Sequence, residues 1–141
     1  MEREYEPMFR TQEGLLIPKD FTNKHHILWR KDWYKTPSER RTREMPGMVL
    51  RMTINHHRDL HRAVEPPQKP NPQVLIGMYN FNHNNLETLN VYDRFEAITE
   101  MLGKVATVGG RNALDAGRLH ENFVEQLPFV QAGRVEVHRG E

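Results

Sequence analysis

The chain contains no cysteine, which removes disulfides and thiolate zinc sites together; any metal it binds must be held by imidazole, carboxylate, carbonyl or water. It has no apolar run near the ~20 residues of a membrane-spanning helix. Its charged start, Met1-Glu2-Arg3-Glu4, lacks the apolar centre of a secretory signal. The expectation is a soluble, cytoplasmic protein with no membrane partner. Net charge is nearly absent at +1, and a hydrophobic fraction of 37% over 141 residues suffices for one modest core but not for two large ones. No internal repeat recurs at a solenoid period.

What the chain does have is unevenly placed. Residues 24 to 62 hold ten Lys/Arg against four Asp/Glu, and residues 86 to 129 hold four against seven. The basic half reads either as a polyanion-facing surface or as an ordinary solvated face. It also contains five of the eight histidines: His25, His26, His56, His57 and His61.

Residues 1 to 20 mix charges with Gly14-Leu15-Leu16-Ile17-Pro18 and read as a loosely held arm or an edge strand ended by proline. Ile27, Leu28 and Trp29, directly after His25-His26, suit a strand or strand end with the histidines at its mouth. Thr36 followed by Pro37 has the form of an N-cap with proline at the first helical position, so Glu39 to Glu44 should form one or two helical turns before Pro46-Gly47 break them. Met48 to Met52 reads as a second strand. Thr53 or Asn55 then caps a helix running to about Val64, which Pro66 and Pro67 stop.

Pro66 to Pro72 has too many prolines for a helix or central strand and reads as an extended linker marking an internal boundary. Beyond it, Asn84-Asn85-Leu86-Glu87 has the form of a helix start. Leu86, Leu89, Tyr92, Phe95, Ile98 and Leu102 follow at helical spacing, and a second helix is expected from Arg111 to Leu127 with Leu119, Phe123 and Leu127 on one face. Separated by Gly109-Gly110, the two predict a helical hairpin. Residues 86–127 are also a candidate surface for a protein partner or self-association.

Residues four apart on a helix share a face, so His57 and His61 can reach one ion. His25 or His26, at the end of a neighbouring strand, can supply a third ligand and leave positions open for water and a phosphate oxygen. His56 points away from its neighbour, and His83, His120 and His138 read as structural or surface residues.

The pair His25-His26, followed after residues 27 to 50 by Arg51-Met52-Thr53-Ile54-Asn55-His56-His57-Arg58-Asp59-Leu60-His61-Arg62, resembles the HNH, or ββα-metal, endonuclease family. It is most similar to the nuclease domains of DNA-cleaving colicins, where a His-His pair precedes a His-x-x-x-His helix, and to small phage-encoded HNH proteins. The resemblance covers residues 23 to 63. It implies that His25, His57 and His61 ligate a divalent metal ion (zinc, magnesium, manganese or nickel). It also implies that His26 is the general base and that DNA phosphodiester bonds are hydrolysed, in a bacterial or phage-infected host cell. Two positions depart from the family. Its middle asparagine falls near Gly47-Met48-Val49, where there is none, and the polar residue two positions before the ligand histidine is Asn23 rather than an acid.

Around the cluster, Trp29, Trp33 and Tyr34 interleave with Arg30, Lys31, Lys35, Arg40, Arg41 and Arg43. The tryptophans are expected in the core, and the six cations are the candidates for DNA contact. The whole reads as an α+β protein with an N-terminal arm (1–19), an HNH-like ββα-metal module (20–65), a proline-rich linker (66–73) and a helical C-terminal extension (74–141). A non-catalytic HNH-like scaffold that binds nucleic acid or protein, as a phage component, is the alternative to the endonuclease.

Overall fold

The computed structural model describes residues 7–138 and is α+β. The start Met1 to Glu4, and with it the beginning of the arm, lies outside the described residues. The strands β1 (Met8–Thr11) and β2 (Leu16–Pro18) form an antiparallel hairpin whose turn places Gly14 at φ 87°, a conformation glycine adopts without a Cβ penalty. Pro18 ends the strand, and a 3-10 turn (Lys19–Phe21) leads into β3 (Thr22–His26).

The helix α1 (Pro37–Arg43) begins where Thr36-Pro37 predicts it. Thr36 Oγ1 accepts from the Glu39 N–H (3.1 Å) and the Glu39 carboxylate accepts from the Thr36 N–H (3.2 Å), closing a capping box. The strand β4 (Val49–Thr53) pairs antiparallel with β3, setting His25 opposite Leu50 and His26 opposite Val49. Thr53 then caps α2 (Ile54–Ala63), its Oγ1 accepting from the His56 N–H (3.3 Å).

The order strand, helical excursion, strand, helix is the expected one, but the first strand lies upstream of Ile27-Leu28-Trp29. The histidines are therefore strand residues rather than residues at a strand's mouth. Ile27 and Leu28 are fully buried, and only the Ile27 N–H extends the pairing, to Met48 O at 2.8 Å. The apolar run marks entry into the core, and pairing is set by the residues before it.

Residues 65–71 run extended, as their prolines require, yet they are held against the molecule. Pro67 and Pro70 are buried, and Lys69 Nζ lies 2.8 Å from Glu39 Oε2. Then come α3 (Pro72–Phe81), α4 (His83–Glu87), α5 (Val91–Val108) and α6 (Ala113–Ala132). The helical hairpin forms from α5 and α6, with the Phe95 and Phe123 ring centroids 5.5 Å apart. Its first helix starts at Val91, later than expected, because Asn90 Oδ1 accepts from the Asp93 N–H (2.9 Å) and wins the cap; Asn84 to Glu87 belong to the separate short turn of α4. Its second helix runs past Leu127 and through the exposed Pro128 to Ala132.

Two expectations need correction at the chain's ends. The C-terminal part is not helical throughout: residues after Gly133 return as β5 (Val135–His138), which pairs antiparallel with β1. The sheet order is β2-β1-β5, so residues 8–11 are a middle strand rather than a loosely held arm, while Leu16–Pro18 is the edge strand ended by proline, the other reading of this segment. Tyr92 ties this sheet to the other one, its hydroxyl donating to Arg51 O on β4 and accepting from the Val135 N–H (3.2 Å). A single cluster of buried residues draws on β4, α2, α3, α5 and α6 alike. Leu86, Tyr92, Phe95, Ile98, Leu102, Leu119 and Phe123, apolar positions at helical spacing within residues 86–127, are buried in it. Among the described residues no helix is long and apolar enough to cross a membrane.

Candidate metal centre

His57 and His61 lie one helical turn apart on α2, and the antiparallel pairing of β3 with β4 brings His25 against that turn. One ring nitrogen from each of His25, His57 and His61 can be chosen so that all three lie within 4.8 Å of one another. The ring centroids of His25 stand 5.0 Å from those of His57 and 5.3 Å from those of His61. His25 is fully buried, His57 is half-buried and His61 is exposed, so the cluster is closed on the strand side and open on the helix side.

The tautomer of His25 follows from a carbonyl. Gln126, wholly buried on α6, has its Nε2 3.2 Å from Ile27 O. A carbonyl only accepts, so the amide nitrogen must face it, and Gln126 Oε1 must then be the atom 2.7 Å from His25 Nε2. His25 therefore donates from Nε2, and its Nδ1 carries the lone pair. The same amide nitrogen donates to Asn122 Oδ1 (2.5 Å), and Asn122 Nδ2 donates to Glu65 O (2.9 Å), so the chain of amides is fixed at both ends. His25 Nδ1 is buried without a partner among the described residues. A buried, unpartnered lone pair on a ring that stands beside two further imidazoles is a donor a cation can use.

His57 and His61 face each other through their Nε2 atoms at 3.0 Å. Nitrogens sharing one tetrahedral ion with bonds of about 2.0–2.1 Å lie about 3.4 Å apart, so this pair needs only a few tenths of an ångström of adjustment. Asn23 Nδ2 lies 3.3 Å from His57 Nδ1. Were His57 to hold an ion through Nε2, its proton would sit on Nδ1, and a turned Asn23 amide would present Oδ1 to receive it.

Burial holds these rings neutral, the state in which imidazole ligates. It pushes His25 down to about 3, opposed by the Gln126 hydrogen bond and reinforced by the neighbouring histidines. Burial, with His61 beside it, pushes His57 down to about 4, and burial lowers His61.

His26 is not part of the trio. Strand alternation turns it away from His25, and its Nε2 lies 2.9 Å from Glu44 Oε1, just past the end of α1. Burial lowers its pKa and Arg43 adds to this, while Glu44 raises it. Glu44 thus holds the ring. His56 also stands apart, with Nδ1 on Thr53 Oγ1 at 2.5 Å. His83 faces Glu87 and His138 faces Arg10.

Of the six cations, Arg30, Lys31, Lys35, Arg40 and Arg41 are exposed. Arg43 differs: its Nε donates to Leu28 O (2.8 Å) and its Nη1 lies 3.5 Å from Glu44, so it braces the fold and is largely covered. Trp29 and Trp33 are partly buried against the core, and the Trp29 ring stands edge-on to His61 with centroids 3.9 Å apart.

Gln126, Asn122 and Glu44 are the residues sequence reasoning missed. A signal for Gln126 was available: it falls seven residues after Leu119 and three after Phe123, a polar side chain on the apolar face of its helix. No family model, curated protein or solved structure matches the chain.

Proposed function

We propose that the protein is a metal-dependent endonuclease of the HNH type that hydrolyses DNA phosphodiester bonds. The observation that carries this reading is the convergence of His25, His57 and His61 from a strand, strand and helix arrangement, with the buried Nδ1 of His25 left unpartnered. An all-imidazole donor set suits zinc or nickel better than magnesium, which favours oxygen. His25, His57 and His61 would hold a divalent ion, which would supply Lewis-acid stabilisation to the phosphate and the leaving oxygen.

The chain's own part is proton transfer and orientation. With Nε2–H held by Glu44, the free Nδ1 of His26 accepts a proton from water as the water oxygen bonds to phosphorus and the P–O3′ bond breaks. Glu44 then stabilises the imidazolium. Burial and Arg43 keep His26 neutral, and therefore basic, at neutral pH. Because alternation turns His25 and His26 to opposite faces of β3, this role requires the scissile phosphate itself to sit at the end of that strand, where His26 is the last residue.

That same divergence favours a second reading, in which the ion is structural and the module binds nucleic acid or protein without cutting. Supercoiled plasmid incubated with zinc, nickel, manganese or magnesium separates the two. The expected result is metal-dependent nicking that falls about 10²–10⁴-fold in His26→Ala with metal still bound, and that is lost in His57→Ala together with the metal. Bound metal without cleavage selects the non-catalytic scaffold. Neither metal nor cleavage sinks both readings.

A further inference from the structure

Two of the three clustered imidazoles have a hydrogen-bonding side chain beside them: Gln126 for His25 (2.7 Å) and Asn23 for His57 (3.3 Å). His61 has none. Among the described residues its ring makes a single hydrogen bond, to His57 across the cluster, and it is the most exposed of the three. A ligating histidine needs its ring fixed as well as its nitrogen free, and an exposed imidazole on a helix is free to turn among several rotamers.

What touches His61 is Trp29. The two ring planes stand at 89° with centroids 3.9 Å apart, nearer than the about 4.5–7 Å usual for aromatic pairs. The indole also stands 6.3 Å from the His25 ring, so it reaches from the strand-borne histidine to the helix-borne one. The backbone is bent where it does so. Trp29 lies just past the end of β3, and the next residue, Arg30, is the only non-glycine residue at positive φ (71°) among the described residues. A side chain in that region is strained, and the strain persists only where the surroundings impose it. The indole Nε1–H, meanwhile, is buried with no hydrogen-bond partner among the described residues. No polar contact therefore holds the ring in place; it packs on the core cluster and on His61, at the cost of an unsatisfied donor.

We propose that Trp29 is the positioning residue of His61: the indole stops the exposed imidazole from turning and keeps its Nε2 directed at His57, the part that Gln126 and Asn23 play for the other two rings by hydrogen bonding. The role rests on the reading of the three histidines as a metal centre, and not on cleavage.

Competition of the full chain with a chromophoric chelator reads zinc affinity. Trp29→Leu is expected to weaken zinc at least about tenfold, the smallest loss usual for an orienting partner, whereas Trp29→Phe keeps an aromatic ring against His61 and should stay within about threefold of the parent. In a His61→Ala background, where His25 and His57 remain, Trp29→Leu should weaken zinc no further; a residue that only supports the fold would weaken both backgrounds alike. A second measurement leaves the centre intact. The chain has two tryptophans, so Trp33→Phe makes Trp29 the sole reporter, and nickel should quench its fluorescence as the site fills. Zinc affinity unchanged in Trp29→Leu, an equal loss in both backgrounds, or nickel binding that leaves Trp29 fluorescence unmoved overturns the proposal and leaves the metal centre standing. A parent that binds neither zinc nor nickel overturns both. Zinc binding that depends on Trp29 in this way without plasmid nicking keeps the positioning role and retires the nuclease.

Discussion

Replacing Gln126 with leucine removes three hydrogen bonds at one buried point. Its Oε1 accepts from His25 Nε2, and its Nε2 donates to Ile27 O and Asn122 Oδ1. Leucine leaves the His25 N–H buried and unsatisfied and strips donors from two oxygens, which should lower stability by about 2–4 kcal/mol, with the three losses overlapping rather than adding. The ring also loses the contact that fixes its tautomer and orientation beside His57 and His61. Loss of an orienting partner behind a ligating histidine costs about 10–100-fold in metal affinity.

Gln126→Glu separates orientation from packing. A carboxylate still accepts from His25 Nε2, and more strongly, but it has no N–H for Ile27 O or Asn122 Oδ1 and confronts both with another oxygen. Leucine should therefore lose metal affinity, whereas glutamate should lose stability while the folded fraction keeps its affinity. Isothermal titration with zinc or nickel, beside urea unfolding of the metal-free proteins, reads both quantities. A leucine variant that is folded and binds zinc within about twofold of the parent would refute the reasoning, since that is less than the smallest loss expected of an orienting partner.

Four further outcomes are expected. In chelator, stability should be full above pH 6.5 and should fall by about 1.4 kcal/mol per pH unit toward pH 3, because the unfolded His25 takes a proton that the buried ring, held near 3, refuses. Urea midpoints that stay flat from pH 6.5 to 4.5 would contradict this. Gly133→Ala sets a Cβ 2.7 Å from His56 Cβ and 2.9 Å from Met52 Cε and should cost about 1–3 kcal/mol in thermal unfolding. Gly117→Ala, whose Cβ meets only Ala106 Cβ at 3.6 Å, should be neutral or stabilising. Glu44→Gln removes the charge that raises His26, so the His26 pKa followed by NMR should move down; an unmoved titration would mean that the pair does not hold the ring.

The legible parts of this molecule were the local ones. Thr36-Pro37, Pro46-Gly47 and Thr53 act within a few residues of themselves, and each starts or stops an element where its chemistry dictates. His57 and His61 were legible for the same reason, since a spacing of four fixes a shared helical face whatever the rest of the chain does. The choice between His25 and His26 was open because alternation says that one ring goes in and the other out without saying which. Burial behind β3 decides it. The strand at Val135–His138 was hidden because an edge strand of four residues has no periodicity to distinguish it from a frayed helix end, and its partner lies at the opposite end of the sequence.

The part with no local signature is what makes three histidines a site. His25 and Gln126 are separated by 101 positions, and Ile27 and Gln126 by 99, so the tautomer of the buried histidine is set by a helix outside the strand, strand and helix segment of residues 22–63. The joints holding that helix are long-range too: Asn122 to Glu65 O, the Thr53 N–H to Gly133 O at 3.0 Å, and Tyr92 between β4 and β5. Residues 22–63 supply the imidazoles, but without α6 the Nε2–H of His25 would face a cavity and its ring could turn either nitrogen toward the cluster. The C-terminal helices are therefore a wall of the centre, and substitutions on the buried face of α6 should register in metal affinity although none of its side chains belongs to the histidine trio.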